Sequence, residues 1–195
     1  MGKHGTFSGE PVTKWLTEPD DDRRMELQEE FSFTDPDGKV WLAAKGATID
    51  GASIPRPLWS LVGSPYTGDY RRASIVHDVA CDDAKNDSAR REAADRMFFH
   101  ACREGGCSAE QAMLLYLGVR VGADWSKVTA WKPAMVAHDT GARFQRLATE
   151  ARMEVDFQHL AEIIRDQGVV DDPQLLEKRV DAVLDPLSAG SVQAP

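Results

Sequence analysis

Apolar and polar positions follow two different periods along the chain. Over 26–34 (ELQEEFSFT), Leu27, Phe31 and Phe33 fall on odd positions, the period of two that marks a half-buried strand. The turn-forming DPDG at 35–38 follows, then the β-rich KVWLA at 39–43. Alternation, turn chemistry and a second β-rich run together predict a hairpin. A short strand near 12–16 and a third at 44–49 extend it into a small antiparallel sheet spanning about 12–49. The rest of 1–20, broken by Pro11 and Pro19, is expected to be an irregular lead-in.

From Asp69 the period becomes helical. Ala73, Ile75, Val76, Val79 and Ala80 form an apolar arc over 70–84. Asn86, Asp87 and Ser88 supply turn and cap chemistry. Ala93, Met97, Phe98 and Ala101 then space a second helix over about 89–103, which Gly105-Gly106 stops. Ser108 with Gln111 is a capping box opening a third helix over about 109–122. Its face of Met113, Leu114, Leu117 and Val121 is expected to be core. Lys132-Pro133 closes this region. A helical pattern over 134–165 and an amphipathic helix over 173–187, with Pro173 in its first turn, follow, and the last eight residues are expected to be disordered. The expected fold is α+β: a small antiparallel sheet packed on a three-helix core, with a helical C-terminal extension. The expected division is a core domain at 1–128 and the extension at 129–195.

Between sheet and helices lies 50–68, where Pro55 and Pro57 flank Arg56 and deny a regular helix. Long connections of this kind often carry function.

Composition narrows the function classes. The hydrophobic fraction of 42% over 195 residues suffices for one core. A net charge of −9 argues against nucleic-acid binding, which needs clustered Lys and Arg. From Glu150 onward ten acidic and four basic residues give −6, leaving −3 for the preceding residues. The acidic segment 134–187 is therefore a candidate surface for a protein partner or self-association. No run approaches the roughly 20 apolar residues of a transmembrane span, and no secretory leader is visible at the first residues. Cytoplasmic residence is the default expectation, with the virion or non-classical export as alternatives. Cys81, Cys102 and Cys107 suit reduced, partly buried thiols better than a disulfide scaffold, though Cys102 and Cys107 stand close enough to bridge.

The candidate chemistry centres on His77-Asp78. Neighbours on a helix point about 100° apart, so the two do not pair, but they can face the rim of one cleft from a rigid mount. Asp95, 18 residues after His77, lies on the next helix, and a short turn between the helices brings it back to the level of His77. A carboxylate on one ring nitrogen fixes the tautomer and raises basicity, so His77 is a candidate general base and Asp78 is free to hold a cation. The alternative is a satisfied core histidine. Asp50, Ser53 and Arg56 are candidate substrate-binding residues: Asp50 and Ser53 can cap local amides, and Arg56 can grip a carboxylate or phosphate. Against this stands a purely connecting role. His77 and Cys81 share a face at i, i+4, but no second Cys/His pair stands at zinc-ligand spacing. No nucleophile-elbow serine or glycine-rich phosphate loop appears.

The runs FSFTDPDGKVW, DGASIPRPLW, GSPYTGDYRRAS, VHDVAC and REAADRMFFHA, in this order, resemble the phage and bacterial family catalogued as domain of unknown function 1353, over roughly 25–125. That resemblance implies relatives in phages and prophages and assigns no activity. SIVHDVAC followed by AADRMFF also resembles the paired helices of the calcium-dependent secreted phospholipases. This second resemblance implies His77 as the base, Asp78 as a calcium (or other divalent cation) ligand and Asp95 as the orienting carboxylate. The glycine-rich calcium loop and dense disulfides of those enzymes are not matched.

Three function classes follow. One is a hydrolase acting on an ester or amide in lipid or cell-envelope material. A second is a non-catalytic phage or prophage accessory protein assembling through its helical tail. The third is a pocket in which Arg56 and His77 bind an anion without turnover. The hydrolase requires His77 to meet Asp95 and to open onto a solvent cleft lined by 50–56.

Overall fold

The computed structural model describes residues 2–17, 24–51, 54–64, 67–129 and 140–189. Its fold is α+β, as the periods imply, but the strands divide into two small antiparallel sheets. One orders β1 (Thr6–Phe7), β4 (Phe31–Thr34) and β5 (Val40–Ala43) as β1-β4-β5. The other orders β2 (Thr13–Trp15), β3 (Met25–Leu27) and β6 (Thr48–Ile49) as β2-β3-β6.

The expected hairpin is β4–β5, with Phe33 opposite Trp41. Its turn is built by Asp35. One carboxylate oxygen accepts the amides of Asp37 (3.0 Å) and Lys39 (2.9 Å), and the other accepts the Trp41 indole N–H (2.8 Å). Phe31 and Phe33 are buried, as the alternation requires. The third strand of the 44–49 segment, β6, does not continue this hairpin. It turns at Gly46 (φ 85°) and pairs with β3. In the lead-in, β1 pairs with β4 across the hairpin's other edge.

A short 3-10 turn, Arg56–Leu58, leads into the one-turn helix α1 (Trp59–Val62). Then come α2 (Arg71–Ala84), α3 (Ser88–Gly105), α4 (Ala109–Thr129), α5 (Thr140–Asp166) and α6 (Pro173–Ala189). The caps are the expected ones: Asp87 accepts the Arg90 amide, Gly106 ends α3 in the left-handed region, and Ser108 Oγ accepts the Gln111 amide at 3.1 Å. Of the tail expected to be disordered, residues 188 and 189 lie in α6, and the rest falls outside the described residues, as does Lys132-Pro133.

Both sheets and α2, α3 and α4 share one buried cluster, which also takes in Phe157, Leu160 and Ile164 of α5 and Leu176 and Val180 of α6. Arg96 and Arg120 bond Glu177 and Asp181 of α6, each at 2.7 Å. No helix among the described residues is long and apolar enough to cross a membrane.

Candidate functional site

The turn 85–87 folds α3 back along α2, and Asp95 reaches His77. His77 Nε2 and Asp95 Oδ1 are 2.8 Å apart. Cys81, one turn further along α2, places Sγ 3.4 Å from Nε2 and 3.7 Å from Nδ1 of the same ring. The Phe98 ring packs 4.7 Å from the imidazole, centroid to centroid. One donor atom from each of His77, Cys81 and Asp95 lies within 4.8 Å of the others.

The electrostatics follow from burial. His77 is 0% exposed and Asp95 1%. Burial alone lowers an imidazole's pKa, but Cys81 and Asp95 beside the ring outweigh it, and the net direction is upward. An ionised carboxylate next to the ring favours its protonated form.

The expected solvent cleft is a correction. A ring that is 0% exposed cannot take a proton directly from a substrate in this conformation. A surface hollow at the start of α2, lined by Glu10, Thr67, Gly68, Asp69, Arg71, Arg72 and Gly105, includes none of the trio. The burial is that of the satisfied core histidine weighed as the alternative, on the face that Ala73 and Cys81 share with His77.

Asp78 is tied to the backbone where β6 ends. Its Oδ2 accepts the backbone amides of Asp50 (3.1 Å) and Gly51 (2.8 Å), while Oδ1 is buried without a hydrogen-bond partner among the described residues. Burial raises its pKa to about 7, the Asp50 charge adds to this, and the two amides oppose it. Asp78 stands outside the His77–Cys81–Asp95 trio. Asp50 thus meets the site through its backbone, and Gly51 holds φ 115° there, a conformation costly for a side-chain-bearing residue. Ser53 and the Arg56 side chain lie outside the described residues. Ile54 is buried, and its carbonyl accepts the Trp59 indole N–H at 3.0 Å.

Residues 25–119, the span holding His77, Asp78, Cys81 and Asp95, match the model of a family described as a protein of unknown function (DUF1353). The chain is 37% identical over 128 residues to "Uncharacterized protein y4jT" of Sinorhizobium fredii (strain NBRC 101917 / NGR234), an alignment covering 64% of this chain and 36% of that protein. It is 34% identical over 101 residues to "Uncharacterized protein y4iH" of the same organism, covering 52% of this chain and 41% of that protein. The chain therefore spans well under half the length of these curated relatives. No solved structure matches it. The trio His77, Cys81 and Asp95 lies wholly inside the DUF1353 segment.

A second polar cluster was not foreseen. His4 Nδ1 lies 3.2 Å from His100 Nδ1, and His4 Nε2 lies 3.4 Å from Asp171. Lys3 and Arg103 both bond Asp171 at 2.6 Å. No local period links positions 4, 100 and 171, so only the tertiary fold reveals them.

Proposed function

We propose that the α2–α3 polar centre makes this domain a hydrolase whose reaction depends on His77 and Asp95. The observation carrying the reading is the 2.8 Å bond between His77 Nε2 and Asp95 Oδ1 across two consecutive helices. A carboxylate so placed fixes the ring's orientation and tautomer, which is what a working histidine needs. The substrate class is an ester or amide of lipid or cell-envelope material, in a phage or prophage setting inside the host or on the virion. Since the ring is sealed in this conformation, the reaction needs substrate-induced opening, a step many enzymes use. Asp78, with two backbone amides on one oxygen, serves as a positioning residue that ties the end of β6 to α2.

The test compares wild type with His77→Ala on a panel of phospholipid and peptidoglycan-derived substrates. Hydrolysis lost at His77→Ala, with the circular dichroism spectrum unchanged, supports the reading; full activity in that variant removes it.

One observation favours a second reading. The ring is 0% exposed and packed on Phe98, as a purely structural His–Asp tie would be. The domain would then be a non-catalytic accessory protein that assembles through the helical segment 134–187. Truncation near residue 130 should abolish assembly measured by light scattering, and a truncated chain that still assembles rejects this version.

A further inference from the structure

We infer that His77, Cys81 and Asp95 form a binding site for a single transition-metal ion of zinc's class. This inference uses the side chains of the proposed hydrolase but does not need the reaction.

The first argument is chemical. An imidazole, a thiol and a carboxylate form a mixed N, S and O donor set. Sulfur and imidazole donors select borderline and soft cations such as zinc. Calcium instead takes six to eight oxygens, which one imidazole, one thiol and one carboxylate do not supply. The second argument is placement. All three side chains are buried, at 0%, 6% and 1% exposure for His77, Cys81 and Asp95. A thiol and a carboxylate crowd one imidazole nitrogen, at 3.4 Å and 2.8 Å. All three cysteines are free thiols, so Cys81 is available as a ligand.

The third argument is metric. Zinc bonds nitrogen and oxygen at about 2.0–2.1 Å and sulfur at about 2.3 Å in a tetrahedron. From those lengths, ligand edges of about 3.3 Å (N to O) and about 3.6 Å (N to S) follow. The observed 2.8 Å and 3.4 Å are shorter by a few tenths of an ångström, so an ion requires the carboxylate to back away rather than the helices to move. The sulfur needs a larger adjustment. Its nearly equal distances to Nε2 and Nδ1, 3.4 Å and 3.7 Å, put it beside the ring instead of along the Nε2 lone pair. Binding therefore turns the Cys81 side chain toward Asp95 and releases two protons to solvent, the thiol proton of Cys81 and the Nε2 proton that His77 shares with Asp95, as the thiolate and the freed imidazole lone pair bond the metal. Three protein ligands leave a fourth position for water, the pattern of catalytic rather than structural zinc. If the hydrolase reading holds, His77 is then a ligand, and the metal-bound water is the nucleophile.

The experiment uses the full chain, stripped with chelator and loaded in two ways. One is direct titration with Zn²⁺ or Co²⁺; the other is refolding from denaturant with the ion present, because the trio is sealed in the folded state. The expected result is one equivalent bound, with a thiolate-to-cobalt charge-transfer band and tetrahedral visible bands for Co²⁺. Cys81→Ser should remove the charge-transfer band, and His77→Gln and Asp95→Asn should each weaken binding at least tenfold. Cys107→Ser, a buried thiol outside the trio, serves as a control that keeps the band. Circular dichroism of each apo variant separates lost binding from lost folding. No stoichiometric binding by either route overturns the inference, as does binding whose spectrum ignores Cys81→Ser. The two readings separate cleanly. Stoichiometric metal without hydrolysis keeps this site and removes the enzyme, whereas hydrolysis by a chain that binds no stoichiometric metal keeps the enzyme and removes this site.

Discussion

The carboxylate of Asp78 holds the amide of Gly51 at 2.8 Å and, through the same oxygen, the amide of Asp50 at 3.1 Å. One helical side chain thereby satisfies two backbone donors at the point where β6 ends. Gly51 is buried, so its N–H has no ready access to water if the acceptor is removed. Leaving such a donor unpaired costs about 1–3 kcal/mol. Asp78→Ala should therefore lower the melting temperature, at roughly 2–4 °C per kcal/mol for a chain of this size. Asp78→Asn keeps a carbonyl oxygen at the same place and should retain most of the stability. Thermal unfolding of both variants checks this, and equal losses would show that the amide bonds contribute little.

The His77–Asp95 pair gives a sharper contrast. Removing one member of a buried, bonded pair strands the other, at a cost of roughly 3–5 kcal/mol, whereas replacing both with apolar groups of similar volume is often neutral or stabilising. Asp95→Ala alone should be strongly destabilising by denaturant titration. The double variant His77→Phe, Asp95→Leu should recover much of that loss, since Phe98 already supplies an apolar neighbour. Restored stability together with lost activity or metal binding marks the pair as kept for function. A double variant no more stable than the single ones marks it as a tie the core cannot replace.

How much of this was legible depended on the sequence separation of the partners. The β4–β5 hairpin was legible because Asp35 and Gly38 sit within the turn they build. The helix caps at Asp87 and Ser108 were legible for the same reason. The meeting of His77 with Asp95 followed from two helical periods and a short turn between them. The strands near 12–16 and at 44–49 were legible, but not their pairing in a second sheet: β2 and β6 have three and two residues, too few to fix a register, and β6 takes a partner more than 20 residues away. The burial of His77 was hidden because exposure is decided by what packs over a helix face. The role of Cys81 was half visible at i, i+4 from His77, but its third companion, Asp95, came from another helix.

Acid should unfold the protein in two stages, for reasons centred on His4. Burial lowers the pKa of His4 from 6.5, with Asp171 opposing and Arg103 and Lys3 assisting. Burial likewise lowers that of His100, and His4 adds to the effect while Asp35, Asp37 and Asp171 oppose it. The unfolded chain then binds protons at His4 and His100 that the folded chain refuses, so their contribution to stability falls as pH drops below about 6.5, against an opposite contribution from Asp78, whose raised pKa favours the folded state in that window. Asp171 acts lower. Partial burial would raise its pKa, but the bonds from Arg103 and Lys3 prevail and lower it. Its contribution is present above the ordinary carboxylate pKa of about 4 and is lost as pH falls below that. Denaturant midpoints measured against pH should show both slopes. His100→Gln should flatten the upper slope and Asp171→Asn the lower, and an upper slope unchanged in His100→Gln would reject the assignment.

The close of α3 allows a test that involves no charge. A Cβ added at Gly105 would sit 2.2 Å from the backbone carbonyl oxygen of Asp69, far inside van der Waals contact. Because the obstruction is main chain, no rotamer change relieves it. Either the end of α3 or the start of α2 must shift, and Tyr70 next to Asp69 is fully buried, which resists that shift. Overpacking of this kind costs typically 1–3 kcal/mol. Helix propensity favours alanine over glycine by up to about 1 kcal/mol, so the two effects oppose each other and the clash should win. Gly105→Ala is expected to lower the unfolding midpoint, while Gly38→Ala, with open space around its Cβ but φ 85°, should suffer only from backbone strain. A Gly105→Ala variant more stable than wild type would show that the end of α3 and the Asp69 carbonyl are not held in contact.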